Sequence, residues 1–150
     1  DKLVIEFSAS GKPVLGICLG MQLLFRSSNE YGEHEGLGII AGTVVPIPSR
    51  REDGGKRKIP HIGWNTLIPY RSDQRWRGTG FHSLSAAPSC YFAHSFMVEP
   101  EDSEHALAIA DYDGVSIVAA IQSSNVMGMQ FHPERSGPTG LQMLEEFLLQ

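Results

Sequence analysis

Cysteine is nearly absent from this 150-residue chain. Only Cys18 and Cys90 occur, far apart and with no Cys-x-x-Cys pair. That excludes a zinc ribbon and a disulfide framework, and it suits a reducing, cytoplasmic compartment. Positive charge is also scarce: 12 Lys and Arg stand against 17 Asp and Glu, a net charge of −5. A basic nucleic-acid footprint is therefore missing, and no nucleic acid is expected as partner. No long hydrophobic run exists. The longest mostly apolar stretch, Val14 to Phe25, carries Gln22 and falls short of the roughly 20 residues a membrane-spanning helix needs, so no membrane association is expected. No basic-then-apolar leader is visible. A GxxxxGK[ST] phosphate loop is lacking, and Gly36-x-Gly38 has no third glycine at position 41 and no convincing helix after it, so no nucleotide site and no cofactor is expected. The six histidines show no paired ligand spacing, so no metal is expected either.

What is present is enough for one domain. With 41% hydrophobic residues, a chain of this length buries roughly 70% of its unfolded surface. Asp1 to Ser10 reads as the tail of a helix, with Leu3, Val4, Ile5 and Phe7 on its apolar side and Gly11 as its stop. Val14-Leu-Gly-Ile17 reads as a buried strand, and Leu19 to Ser28 as a helix. This order is the grammar of an α/β domain with a parallel sheet. Short β-type runs follow: Thr43–Val45, Trp64–Ile68, Cys90–Val98, Ala106–Ala110, Ser116–Ile121 and Val126–Phe131, with turn signals at Asp113-Gly114 and Ser124-Asn125. Thr139 to Gln150 is helical, with Thr139 as candidate N-cap, and Arg50 to Lys58 reads as an exposed charged loop.

One arrangement carries chemistry. Gly16-Ile-Cys18-Leu-Gly20 places a cysteine between a strand and a helix, the layout of a nucleophile elbow. Side chains two positions either side would collide on such a turn, so glycine is expected at both. The helix start favours thiolate, and the backbone N–H of Leu19 can face a developing oxyanion. By itself the motif is equally compatible with a buried structural cysteine. His132-Pro-Glu134 supplies the missing base: a histidine at a strand end, with a carboxylate two residues on that can orient its ring. None of His34, His61, His82, His94 or His105 has a carboxylate as stiffly placed.

Lys12-Pro-Val-Leu-Gly-Ile-Cys-Leu-Gly-Met-Gln-Leu-Leu-Phe25 and Gln130-Phe-His-Pro-Glu134 resemble the two signatures of class I, triad-type glutamine amidotransferases. Ile59-Pro-His-Ile-Gly-Trp-Asn65 and Tyr91-Phe-Ala-His-Ser-Phe96 are similar to the glutaminase subunits of imidazole glycerol phosphate synthases. The four motifs occur in the family's order over nearly the whole chain. The resemblance implies an α/β, flavodoxin-like fold: a largely parallel sheet flanked by helices, with an added antiparallel β portion. It implies one glutaminase domain over residues 1–150. The family's opening strand, helix and strand, with a loop that supplies a second oxyanion N–H, have no counterpart here, so the expectation is a domain shortened at its N-terminus.

The resemblance also implies roles. Cys18 attacks the side-chain amide of L-glutamine, His132 moves the proton, and Glu134 orients His132. Gln22, Glu30, His94, Ser95 and Phe96 match substrate-binding positions; Phe96 stands where the family has tyrosine, so that hydroxyl's contact is absent. His61, Gly63, Trp64 and Asn65 match the face toward a synthase, or cyclase, subunit that receives ammonia in a heterodimer serving histidine biosynthesis. Relatives beside sugar synthases for surface polysaccharides share these features, and so do two further readings: a cysteine hydrolase of peptides or γ-glutamyl chains, and a non-catalytic module. Gln22 and Glu30, which would grip a free amino acid's ends, favour glutamine.

Overall fold

The computed structural model describes residues 2–71, 76, 81, 82, 84 and 87–149. Helix α1 (Lys2–Ala9) leads through Gly11 to β1 (Val14–Ile17). Helix α2 (Leu19–Leu23) is a short turn of helix, and β2 (Phe25–Ser28) follows at once. The helix expected to run to Ser28 therefore stops early. Phe25 is fully buried, and β2 pairs in parallel with β4 (Ile40–Pro46). Tertiary pairing has overridden a sequence that also suits helix.

The other elements are β3 (His34–Glu35), β5 (His61–Thr66), β6 (Ile68–Pro69), β7 (Ser89–His94), β8 (Phe96–Pro100), β9 (Ala106–Tyr112), β10 (Val115–Ser123), β11 (Val126–Met129) and α3 (Gly137–Leu148). The run expected over Cys90–Val98 is thus two strands broken at Ser95, and Trp64–Ile68 divides between β5 and β6. Asp113 and Gly114 both take positive φ at the β9–β10 turn, the geometry of a two-residue hairpin. Helix α3 starts earlier than expected, and its N-cap position is Ser136 rather than Thr139.

Three sheets result, with orders β1-β11-β10-β9-β6, β3-β2-β4-β8 and β5-β7. Among the described residues parallel pairing is confined to β1–β11 and β2–β4, so the antiparallel portion is larger than the motif order suggests. Strand β11 separates two cores. Met127 and Met129 pack with Phe92, Phe131 and Met143; Val126 packs with Met21, Phe25, Ile40 and Ile121. Burial on both faces explains why its sequence lacks polar alternation. The charged loop around residue 50 is exposed except for half-buried Gly55 and for Arg57, which is buried and donates to the carbonyls of Pro48, Arg50 and Asp113. No helix among the described residues is long and apolar enough to cross a membrane.

Candidate active site

The parallel pair β1–β11 ends with Ile17 opposite Met129. The chain then leaves both strands on the same side, which is where parallel sheets place their sites. Cys18 comes one residue after β1, with φ 51° and ψ −109°. A non-glycine residue rarely adopts such backbone angles, and strain of this kind gathers at functional sites. Its N–H donates to the Met129 carbonyl at 2.7 Å, tying the elbow to β11. At Gly16 a Cβ would lie 2.6 Å from the Gly20 carbonyl oxygen, so that glycine is sterically required. At Gly20 a Cβ would meet nothing within 4 Å. The expected collision is therefore one-sided: Gly20 contributes its backbone, and Gly16 makes room for it.

His132 is fixed through its main chain. Its N–H donates to the Tyr91 carbonyl (2.8 Å), while the Ser136 hydroxyl donates to the His132 carbonyl (2.6 Å) and accepts from the Tyr91 N–H (2.9 Å). Pro133–Arg135 form a 3-10 turn, which curls Glu134 back so that its Oε1 sits 2.8 Å from His132 Nδ1. A carboxylate there holds the proton on Nδ1 and leaves Nε2 as the basic nitrogen. Burial pushes the Cys18 thiol up from its ordinary value and the nearby Glu134 charge adds to this; the Leu19 N–H and the Gln130 side chain pull the other way. The expected thiolate bias of the helix start is outweighed. Helix α2 is only five residues long, and the desolvation of the sulfur dominates.

A cavity of about 420 Å³ opens beside the sulfur, lined by Cys18, Leu19, Gln22, Glu30, His94, Ser95 and Phe96 together with Tyr31, Pro60, Ile62 and Ala93. All five expected substrate positions therefore share one cavity with the cysteine. The side chains of two of them, Gln22 and His94, are hydrogen-bonded within the protein. Gln22 Nε2 donates to the Phe96 carbonyl (3.1 Å) and to Gln130 Oε1 (3.0 Å). His94 donates from Nδ1 to the same Phe96 carbonyl (2.8 Å) and accepts at Nε2 from His61 Nδ1 (3.0 Å).

That last contact corrects the reading of His61. Expected on a partner surface, it is 2% exposed, stacked between Phe92 and Tyr112. Burial pushes both His61 and His94 down to about 4, so the pair is neutral at pH 7. Of the other expected surface positions, Trp64 is exposed and Gly63 half-buried, while Asn65 Nδ2 donates to the Asp111 carbonyl (2.6 Å), bracing β5 against β9. Sequence reasoning missed Gln130. Its side chain is fully buried, and its Nε2 lies 3.8 Å from Cys18 Sγ. The available signal was its place two residues before His132, on the same strand exit. Among the described residues no group of three or more His, Cys, Asp or Glu is placed to hold a metal ion.

Comparison with known proteins gives a consistent picture. The family model "Glutamine amidotransferase class-I" matches residues 2–150. The subunit HisH 1 of imidazole glycerol phosphate synthase from Legionella pneumophila (strain Lens) is 49% identical over 143 residues, covering 95% of this chain and 67% of that protein. The corresponding HisH subunit of Syntrophotalea carbinolica is 45% identical, covering 96% and 68%. The chain thus spans about two thirds of the length of these relatives. Among solved structures, PurLQS from Thermotoga maritima aligns with a TM-score of 0.65 at 22% identity, covering 97% of this chain and 65% of that one. A glutamine amidotransferase from the same organism aligns at 0.61 and 17% identity, covering 98% and 51%. At these identities the structural likeness concerns the fold, a mixed α/β architecture.

Proposed function

Because the chain belongs to the class-I glutamine amidotransferase family, we propose that it is the glutaminase part of an imidazole glycerol phosphate synthase. It hydrolyses L-glutamine to glutamate and ammonia and passes the ammonia to a synthase subunit. The observation that carries this reading is the strained Cys18 elbow opening into a cavity that also holds Glu30, at the shared end of the strands leading to Cys18 and His132.

Cys18 Sγ attacks the carboxamide carbon of glutamine and forms a C–S bond as His132 Nε2 takes the thiol proton. The Leu19 N–H stabilises the oxyanion. Collapse breaks the C–N bond, and the proton on His132 leaves with ammonia. Water, deprotonated by His132, then splits the thioester, releasing glutamate and restoring the thiol. Glu134 keeps the imidazole in one tautomer throughout. Glu30, which lines the cavity, pairs with the substrate ammonium.

The thiol's raised pKa supports a site idle at rest, because the nucleophile forms only by proton transfer to a correctly placed base. Idling has a use here. Ammonia released into neutral water becomes ammonium, which is no nucleophile, so transfer inside a closed complex is needed. Ile62 and Trp64, both 58% exposed on the outer face of β5, offer an apolar docking strip that begins at Ile62 in the cavity lining.

The test is glutamate release measured for the chain alone, with a free synthase subunit, and with that subunit loaded with its acceptor. Activity is expected to be weak alone and to rise with loading, and Trp64→Ala should reduce the rise more than it reduces glutamine binding. Equal rates in all three would replace this reading with a stand-alone hydrolase.

A further inference from the structure

The carbonyl of Phe96 has no hydrogen to give, so it fixes the direction of every hydrogen bond that reaches it. Gln22 must therefore turn its NH₂ end toward Phe96. The same NH₂ group also meets Gln130, and only an acceptor can face it, so the Gln130 carbonyl oxygen points at Gln22. One end of the Gln130 amide is thereby settled, and the other end, its NH₂ group, is directed at Cys18 Sγ, 3.8 Å away. Reversing the Gln130 amide would set two NH₂ groups against each other inside a site where Gln130 is fully buried. The cost of an unpaired buried donor holds the orientation.

We propose that Gln130 is a catalytic residue of this site, a fixed hydrogen-bond donor to the sulfur of Cys18, and that Gln22 is a positioning residue that holds the Gln130 amide in its donating orientation. The inference deepens the assignment of Cys18 as nucleophile and rests on it. A thiol sulfur is a poor acceptor and a thiolate a good one, so the donor strengthens as the S–H proton departs toward His132. The Leu19 N–H is a second donor to the same sulfur. Together they offset part of the burial that holds the thiol protonated. Gln22 then serves two ends: its NH₂ is committed inward, and it still lines the glutamine cavity.

Other charged or titratable groups face the same region. Glu134 and His132 come from the segment after β11, His94 from β7, and Glu30 from the segment after β2. Among these, Glu134 acts on the thiol in the direction opposite to Gln130. The effect of Gln130 must therefore be read as a change in the sulfur's titration rather than inferred from activity.

The experiment follows alkylation of Cys18 by iodoacetamide against pH, with mass-spectrometric mapping of the labelled peptide, in the intact chain. It needs no glutamine turnover, so its result is independent of whether the proposed glutaminase activity is found. Cys90, fully buried with its thiol pushed up to about 12, stays out of the measurement. Gln130→Met keeps the side chain's length and removes the donor. Its alkylation midpoint is expected to rise by roughly one pH unit, the worth of one hydrogen bond to a charged group. Gln22→Met frees the Gln130 amide to turn and is expected to raise the midpoint by less. Circular dichroism checks that each variant folds. An unchanged midpoint in folded Gln130→Met overturns the proposal. If Gln130→Met does not fold, Gln22→Met decides alone, and an unchanged midpoint there overturns it equally. A shift in the midpoint in a chain without glutaminase activity would uphold the donor and defeat the function assigned above.

Discussion

The corner at the ends of β1 and β11 and the β5–β7 ribbon contain the same kinds of side chain. Each has a cysteine and at least one histidine, and the two regions lie side by side. In the corner, Cys18 is half-buried on a strained turn, and His132 meets a carboxylate at 2.8 Å. In the ribbon, Cys90 is fully buried in a regular strand, and His61 and His94 meet each other and a backbone carbonyl. Burial pushes the Cys90 thiol to about 12 and the two rings to about 4. The ribbon therefore holds its cysteine as a thiol and its histidines as neutral rings: Cys90 and His61 are packed in the interior, and His94 reaches the cavity wall without a carboxylate partner. Reactivity here follows from the partner and the backbone angle rather than from residue type.

The largest test of this contrast is kinetic. His132→Ala should cost glutamine turnover roughly 10⁴-fold, the upper end for a lost acid–base group, whereas Glu134→Gln should cost on the order of a hundredfold, since it keeps a hydrogen-bonding group and removes a charge. Steady-state glutamate release in folded variants reads both. Near-normal turnover in His132→Ala would erase the distinction between corner and ribbon.

A second test reads the ribbon through pH. The folded chain holds His61 and His94 neutral down to about 4, while unfolded histidines take up protons from about 6.5 downward. In that window the unfolded state binds more protons, so stability falls as pH drops from about 6.5 toward 4 and is insensitive to these groups above it. A single such proton costs about 2 kcal/mol at pH 5. Urea unfolding at pH 8 and pH 5 measures it, and a flat profile would mean that the pair is not held neutral. The smallest effect concerns Cys90. Cys90→Ala should lose about 1 kcal/mol of stability, the cost of a small cavity, and leave turnover unchanged.

The sequence made the corner legible and the ribbon misleading, for a physical reason. Cys18 and His132 lie beside local signals, a glycine-flanked turn and a proline-stiffened strand exit, that need no knowledge of distant contacts. On β5 the usual rule is inverted. His61 is buried and Gly63 and Asn65 half-buried, while Ile62 and Trp64 face outward. An alternation pattern read for hydrophobicity would assign the wrong face to the core; the expectation of His61 at a partner face rests on the family resemblance of its segment, which does not separate the two faces of the strand. The end of α2 failed differently, because what turns Phe25–Ser28 into a strand is β4, twelve or more residues away and invisible to local periodicity. Gln130 lies within a motif whose residue types give it no role, since only the fixed direction of the Phe96 carbonyl does so.

Tyr91 commits both of its main-chain groups to the segment that carries His132, one to the His132 N–H and the other to the Ser136 hydroxyl. The same strand runs on to His94 at the cavity wall. An inserted or deleted residue between these two positions would slide one functional wall against the other by a full strand step, about 3.3 Å, and turn every side chain beyond it to the opposite face. The spacing from Tyr91 to His94 is thus a ruler built into the chain. Substitutions along it adjust chemistry, but its length is not negotiable, and an alteration in length should prove more damaging than any single exchange of side chain within it.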